Sequence, residues 1–255
     1  MPSFSYNFAM PDHANPAANT QPESICIVGI SSMATRKVLA ELTTAFAQST
    51  GHTIAIESVG GVDAAKRVQA GESFDVVILA SDAIDKLIAS GSIAQGSRVD
   101  LVRSGVAVAV RVGEELPDIA SEEAVKRAVL AAKSISYSTG PSGVALAKLF
   151  ERWSIADDIK GRMVQAPPGV PVGSLVASGE VALGFQQLSE LLHVEGITVL
   201  GPLPATIQIT TIFSAGLPAR RDMDKTRTAP IKALLDFMAS PEADAAKRRQ
   251  GMEPC

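Results

Sequence analysis

Ile25 to Leu42 reads ICIVGISSMATRKVLAEL, a short apolar run that ends in Gly29-Ile30-Ser31-Ser32 and passes into a helical pattern. Val38, Leu39, Leu42, Ala45 and Phe46 fall at helical spacing, whereas Ile25 to Val28 is too short to be anything but a buried strand. The two serines are therefore expected where the C-terminal end of a strand meets a helix N-terminus. A first helical turn carries unpaired N–H groups and a positive dipole end, so hydroxyls placed there add donors to an anion cradle. Ser is also an ordinary N-cap, and the motif alone leaves both uses open.

The same unit recurs down the chain. His52 to Ser58 alternates as a second strand and leads through Ser58-Val59-Gly60-Gly61-Val62-Asp63 into a helix bearing Ala64, Ala65 and Val68. Asp75 to Ala80 is a continuous apolar strand, followed by Ser81-Asp82 and a helix to Ala89. Three strand-loop-helix units in succession imply a parallel sheet faced by helices, with ligands at the C-terminal strand ends. Paired glycines at 60 and 61 let backbone N–H groups approach a ligand, or serve a tight turn needing positive φ.

Leu101 to Val112 differs, being long, β-rich and not followed at once by a helix. It reads as a strand crossing between two lobes, with Arg103 and Ser104 passing the back of a cleft, although a surface ion pair also explains Arg103. The middle block then repeats the earlier logic. Ser121 caps a helix from Glu122 to Lys133, and Ile135 to Ser138 runs into Thr139-Gly140-Pro141-Ser142-Gly143 and a helix from Val144 to Trp153. Pro167-Pro-Gly-Val-Pro171 fixes the start of a helix over 172–178, and Val181 to Phe185 is a strand delivering Gln186 and Gln187 to its end. Adjacent amides suit an oxygen-rich ligand and equally suit a solvated loop. Gln208 to Ala215 is the return crossing, after which helices from Ile231 and Pro241 rejoin the first block and Lys247, Arg248 and Arg249 form a solvated end.

Composition narrows the function classes. With 255 residues the chain suits one large or two moderate domains. A net charge of −4 argues against a nucleic-acid partner, which needs a Lys/Arg excess. Two cysteines, Cys26 and Cys255, offer no disulfide framework, and His13, His52 and His193 are scattered, so neither a metal site nor a cofactor is expected. No stretch approaches the ~20 apolar residues of a membrane span. Residues 1–24 are polar, rich in Pro, Asn, Ala and Ser, and read as a disordered arm.

The order of elements, the Ser31-Ser32 and Ser58 loops, AGESFDVVILASDAIDKL (70–87), GEVALGF (179–185) and FMASPEADAAKRRQGM (237–252) resemble the molybdate-binding proteins of ABC transporters. The resemblance covers Ile25 to the C-terminus and implies the α/β, two-lobed type II periplasmic-binding-protein fold, mostly parallel sheets joined by two crossing hinge strands. Lobe one would be residues 25–102 plus 208–255, and lobe two 103–207. It implies an oxyanion held by Ser31, Ser32, Ser58, Gly60, Gly61, Ser142, Gly143 and a backbone contact near Val170. Two departures stand out: the family's serine run is here Ser58-Val59-Gly60-Gly61, and Gln186-Gln187 replaces the tyrosine of its GxVYxSD motif. Both point away from molybdate toward a wider pocket, and the bacterial aconitate isomerase branch of this fold fits that direction. There Gln187, Arg103 and the serine loops would hold carboxylates, with Tyr137, Glu57 or Glu190 near strand ends as proton carriers. The implied partner is a small anion, with an ABC permease if the protein is exported. The location is periplasmic if an export signal has been removed, and cytoplasmic otherwise.

Overall fold

The computed structural model describes residues 24–219 and 225–255, so the arm expected at 1–24 lies, except for Ser24, outside the described residues. Three strand-helix units open the chain: β1 (Cys26–Ser32) with α1 (Arg36–Thr50), β2 (Thr53–Val59) with α2 (Gly61–Gln69), and β3 (Val76–Ala80) with α3 (Ser81–Ala89). They form a parallel ladder in the order β2-β1-β3. All five residues of β3 are buried because helices cover both faces of the sheet, which explains a continuous rather than alternating apolar run.

The long strand β4 (Val99–Arg111) changes partners along its length. Up to Gly105 it pairs antiparallel with β9 (Thr210–Gly216), and from Val106 onward with β7 (Leu183–Gln187) and β8 (Ile197–Pro202). The chain recrosses at the same point. Gln208 Oε1 accepts from the N–H groups of Val106 (3.0 Å) and Ile209 (2.8 Å), and its Nε2 donates to Leu203 O. One side-chain amide thus satisfies the backbone where both crossings bend.

Between the crossings lie α4 (Glu122–Ala131), β5 (Ile135–Tyr137), α5 (Pro141–Arg152), α6 (Ala156–Ile159), β6 (Met163–Gln165), α7 (Val172–Ser178) and α8 (Leu188–Leu191). Strands β5, β6 and β7 form a second parallel ladder, while every pairing of β4 and β9 is antiparallel. After β9 come α9 (Lys225–Ala239), α10 (Asp244–Arg249) and β10 (Glu253–Pro254), which pairs with the N-terminal part of β4.

The apolar side chains separate accordingly. Ile27, Leu39 and Phe46 share one core with Phe213, Ile231, Leu234 and Met252. Val106, Leu146, Phe150, Phe185 and Ile207 belong to another. Each fully buried Leu, Ile or Phe contributes about 1.5–3 kcal/mol. The buried Asp75 pins the C-terminal segment to the first ladder by accepting from Val28 N (2.9 Å) and pairing with Arg227 on α9 (2.8 Å).

Some local expectations need correction. β1 runs through Ser32 and a short 3-10 turn (Met33–Thr35) precedes α1, so the serines end a strand and neither caps α1 through its side chain. α5 begins three residues early, with Pro141 at its first position, where the absent N–H costs nothing. Gln186 and Gln187 lie within β7 rather than beyond it. Lys247 is only 1% exposed and pairs with Asp244, so it is not part of a solvated end.

Candidate functional site

A cleft of about 720 Å³ lies where the C-terminal ends of the parallel strands converge. From the end of β1 and the 3-10 turn after it come Ser32, Met33 and Ala34; from the starts of α2 and α3 come Gly60 to Asp63, Ala80 and Asp82. The loop after β5 gives Ser138 to Ser142, the loop after β6 gives Ala166 to Pro171, and β7 with α8 gives Gln186, Gln187 and Glu190. Thr211 and Phe213 of β9 complete the lining. Helices α2, α3 and α5 all begin here, and their first-turn N–H groups have no intrahelical acceptor.

The structure brings together Ser32, Gly60, Gly61, Ser142, Val170, Gln186 and Gln187 and leaves Ser31, Ser58, Gly143 and Arg103 off the lining. Ser31 is fully buried behind Ser32, with its Oγ 2.8 Å from Ser58 Oγ, so that one hydroxyl donates to the other. Gly143 supports the corner. A Cβ there would collide with Ser138 O, so only glycine lets the loop fold back on α5. Val170 lines the cleft, but its N–H donates to Pro167 O (3.0 Å), closing a turn in which Gly169 takes φ +80°. The backbone donor expected at Val170 is therefore already engaged. Arg103 is exposed on the opposite face of β4: its buried neighbours Val102 and Ser104 pair with Phe213 and Thr211, and those two line the cleft.

Two polar atoms in the lining are conspicuous. Ser32 (7% exposed) and Gln187 (3% exposed) present Oγ and Oε1, respectively, with no hydrogen-bond partner among the described residues. Buried polar groups are normally paired, so these two are open hydrogen-bonding positions in the cleft wall. The amide of Gln187 bonds Thr211 Oγ1 at 2.8 Å. Because a hydroxyl both donates and accepts, that amide can turn either its oxygen or its nitrogen to the ligand.

Gln186 has no such freedom. Its Oε1 accepts from the backbone N–H of Gly173 (3.2 Å), which leaves Nε2 to donate to Glu190 Oε1 (2.9 Å). Burial pushes the Glu190 carboxyl up to about 7, against the Gln186 hydrogen bond and the field of Arg36, which pull it down. The other two candidate proton carriers stand elsewhere. Glu57 is exposed and salt-bridged to Arg67 at 2.9 Å, which holds its carboxyl below the usual range, and Tyr137 packs against the second core.

The sequence reading missed three cations. Lys66 on α2, Lys86 on α3 and Lys148 on α5 line the rim, with Asp63 and Asp82 beside them and Asp82 3.6 Å from Lys86. The signal was a lysine one or two turns into each helix that follows a ligand loop. Among the described residues no cluster of His, Cys, Asp and Glu could hold a metal ion, and no helix is long and apolar enough to cross a membrane.

This geometry has counterparts. The sequence matches the family of bacterial extracellular solute-binding proteins over residues 27–253. The chain belongs to that family. As a solute-binding protein it is 36% identical over 249 residues to the aconitate isomerase of a Pseudomonas species, spanning 94% of this chain and 92% of that one. Its fold is also that of the Azotobacter vinelandii periplasmic molybdate-binding protein (TM-score 0.72, 21% identity, 89% of this chain and 98% of that one). The sulfate-binding protein of Mycobacterium tuberculosis superposes with TM-score 0.71 at 14% identity, over 90% of this chain and 87% of that one. The two-lobed type II architecture implied by the sequence resemblance is the one observed.

Proposed function

We propose that this solute-binding protein takes an organic di- or tricarboxylate between its lobes and isomerises it, with cis/trans conversion of aconitate as the reaction. The observation that carries this reading is the spread of Lys66, Lys86 and Lys148 over three separate elements around a cleft of about 720 Å³. A tetrahedral oxyanion wants a compact cage of neutral donors, whereas a flat tricarboxylate needs room and charge at several separated points. The relationship to an aconitate isomerase supports the choice of substrate, and fold alone does not distinguish holding from turnover. The lobes in this reading are residues 25–102 with 208–255 and residues 103–207, closing about Gly105-Val106 and Gln208. The periplasm is the compartment that fits the family, and an ABC permease is the partner in the transport alternative.

The test is a melting-temperature screen against molybdate, tungstate, sulfate, phosphate, citrate and both aconitates, followed by incubation with trans-aconitate and chromatography for the cis isomer. A ligand at a hundredfold excess over its Kd adds about 2.7 kcal/mol, or roughly 5–10 °C for a chain of this size. The expected result is stabilisation by the aconitates with conversion between them. Stabilisation by molybdate alone, without conversion, would return the protein to the role of transport receptor.

A further inference from the structure

We infer that Glu190 is the catalytic residue of this site, a single carboxylate that removes the allylic proton of the substrate and returns it two carbons away. This deepens the isomerase reading above and rests on it. The geometry is specific to this side chain. Asp63 and Asp82, the other carboxylates of the lining, are exposed on the rim, whereas Glu190 lies inside, on α8 beside the β1 corner. Ser189 Oγ donates to Ala34 O at 2.9 Å, which ties α8 to the turn that directly follows Ser32, whose hydroxyl has no partner among the described residues.

One oxygen of Glu190 is held and the other is free. Oε1 accepts from Gln186, itself locked by Gly173 N–H, while Oε2 has no hydrogen-bond donor among the described residues. Its ionisation near neutral pH suits a base that must both take and give a proton. Arg36, at the start of α1, is the charged group whose field reaches it.

The step balances without a co-reactant. Ionised Glu190 takes a proton from the substrate methylene, and the C–H pair left behind becomes a new C=C bond. The old π pair moves to the former vinyl carbon, which takes the proton back from Glu190. One C–H bond breaks and one forms, nothing is oxidised or reduced, and the carboxylate is regenerated. Charge developing on the substrate carboxylates during the shift faces the first-turn N–H groups and the rim lysines. Gln186 is a positioning residue.

The experiment compares wild type with Glu190→Gln, which keeps the acceptor for Gln186 and the side-chain volume. The expected result is a kcat lower by about 10²- to 10⁴-fold, with the melting shift produced by trans-aconitate retained. The wild-type pH profile needs no variant: kcat/KM should rise with pH and level off above about 7. Gln186→Met removes a hydrogen bond that favours the ionised form, so it should move that inflection upward, which a merely structural residue would not do. Conversion by Glu190→Gln within threefold of a converting wild type, or a wild-type profile flat between roughly pH 6 and 8, would overturn the assignment and leave the isomerase reading standing. A wild type that leaves aconitate unchanged overturns both.

Discussion

The two walls of the cleft are built alike and finished differently. On the β1-β2 side the polar groups settle one another: Ser31 bonds Ser58, and Thr35 Oγ1 donates to Ser32 O (3.0 Å), leaving one hydroxyl and the backbone of Gly60 and Gly61 toward the ligand. On the β7-α8 side two glutamines and a carboxylate are brought in from solvent, tied down by Gly173 N–H and Thr211 Oγ1. The first wall can hold an anion at little cost to folding. The second keeps an acid where its charge is disfavoured, as a group that exchanges a proton with substrate requires.

Gly61, on the first wall, and Gly143, which supports the α5 corner behind the lining, should respond most unequally. A Cβ on Gly61 would meet Ser32 Cβ at 3.6 Å, an ordinary contact, whereas one on Gly143 would collide with Ser138 O. Gly143→Ala is expected to cost about 3 kcal/mol or more, and Gly61→Ala to change stability by no more than about 1 kcal/mol. Urea unfolding of both variants checks this, and equal midpoints would erase the distinction.

The next effect is on stability against pH. Glu190 is raised from 4.5 to about 7 on folding, so the folded protein binds this proton more tightly than the unfolded chain. Stability is therefore greatest below the unfolded value and declines as pH rises toward the folded one, by on the order of 3 kcal/mol at most. Glu190→Gln removes that penalty. It should melt several degrees above wild type at pH 8 and close to it at pH 4.5, as a residue kept for function at the expense of stability would.

The adjacent serines separate holding from support. Ser32→Ala should weaken binding by roughly 1.5–3 kcal/mol if the hydroxyl meets a carboxylate, with little change in folding. Ser31→Ala should do the reverse, costing about 1 kcal/mol of stability by stranding Ser58 while calorimetry finds affinity unchanged.

These contrasts show what the sequence made legible. Apolar runs ending in Gly, Ser and Asp marked the strand-loop-helix units, because burial on both sheet faces imposes that composition, and Leu101 to Val112 stood out by its length as a crossing. What stayed hidden depends on which way a side chain turns. Arg103 and Ser104 are neighbours on one strand, and only the pairing of Ser104 with Thr211 shows that Arg103 faces away from the cleft. Ser31 reads from the sequence as a ligand contact, and only the register shows that its hydroxyl lies against Ser58, off the lining. Lys247 looked solvated until the packing of the C-terminal segment left it 1% exposed.

The smallest effects belong to the rim. Replacing Lys66, Lys86 or Lys148 singly by Gln should weaken tricarboxylate binding by about 0.2–1 kcal/mol each. The loss should shrink in high salt, where exposed charges are screened. Affinities measured at two ionic strengths test this, and a salt-independent loss would mean direct, desolvated contacts instead.

The central claim is that this cleft moves a proton rather than merely holding an anion. Wild-type protein incubated with trans-aconitate in deuterated buffer, followed by proton NMR, tests it most directly. The account predicts that cis-aconitate resonances grow at the expense of the trans isomer, and that they fail to grow with Glu190→Gln. An unchanged trans-aconitate spectrum with wild-type protein would contradict it.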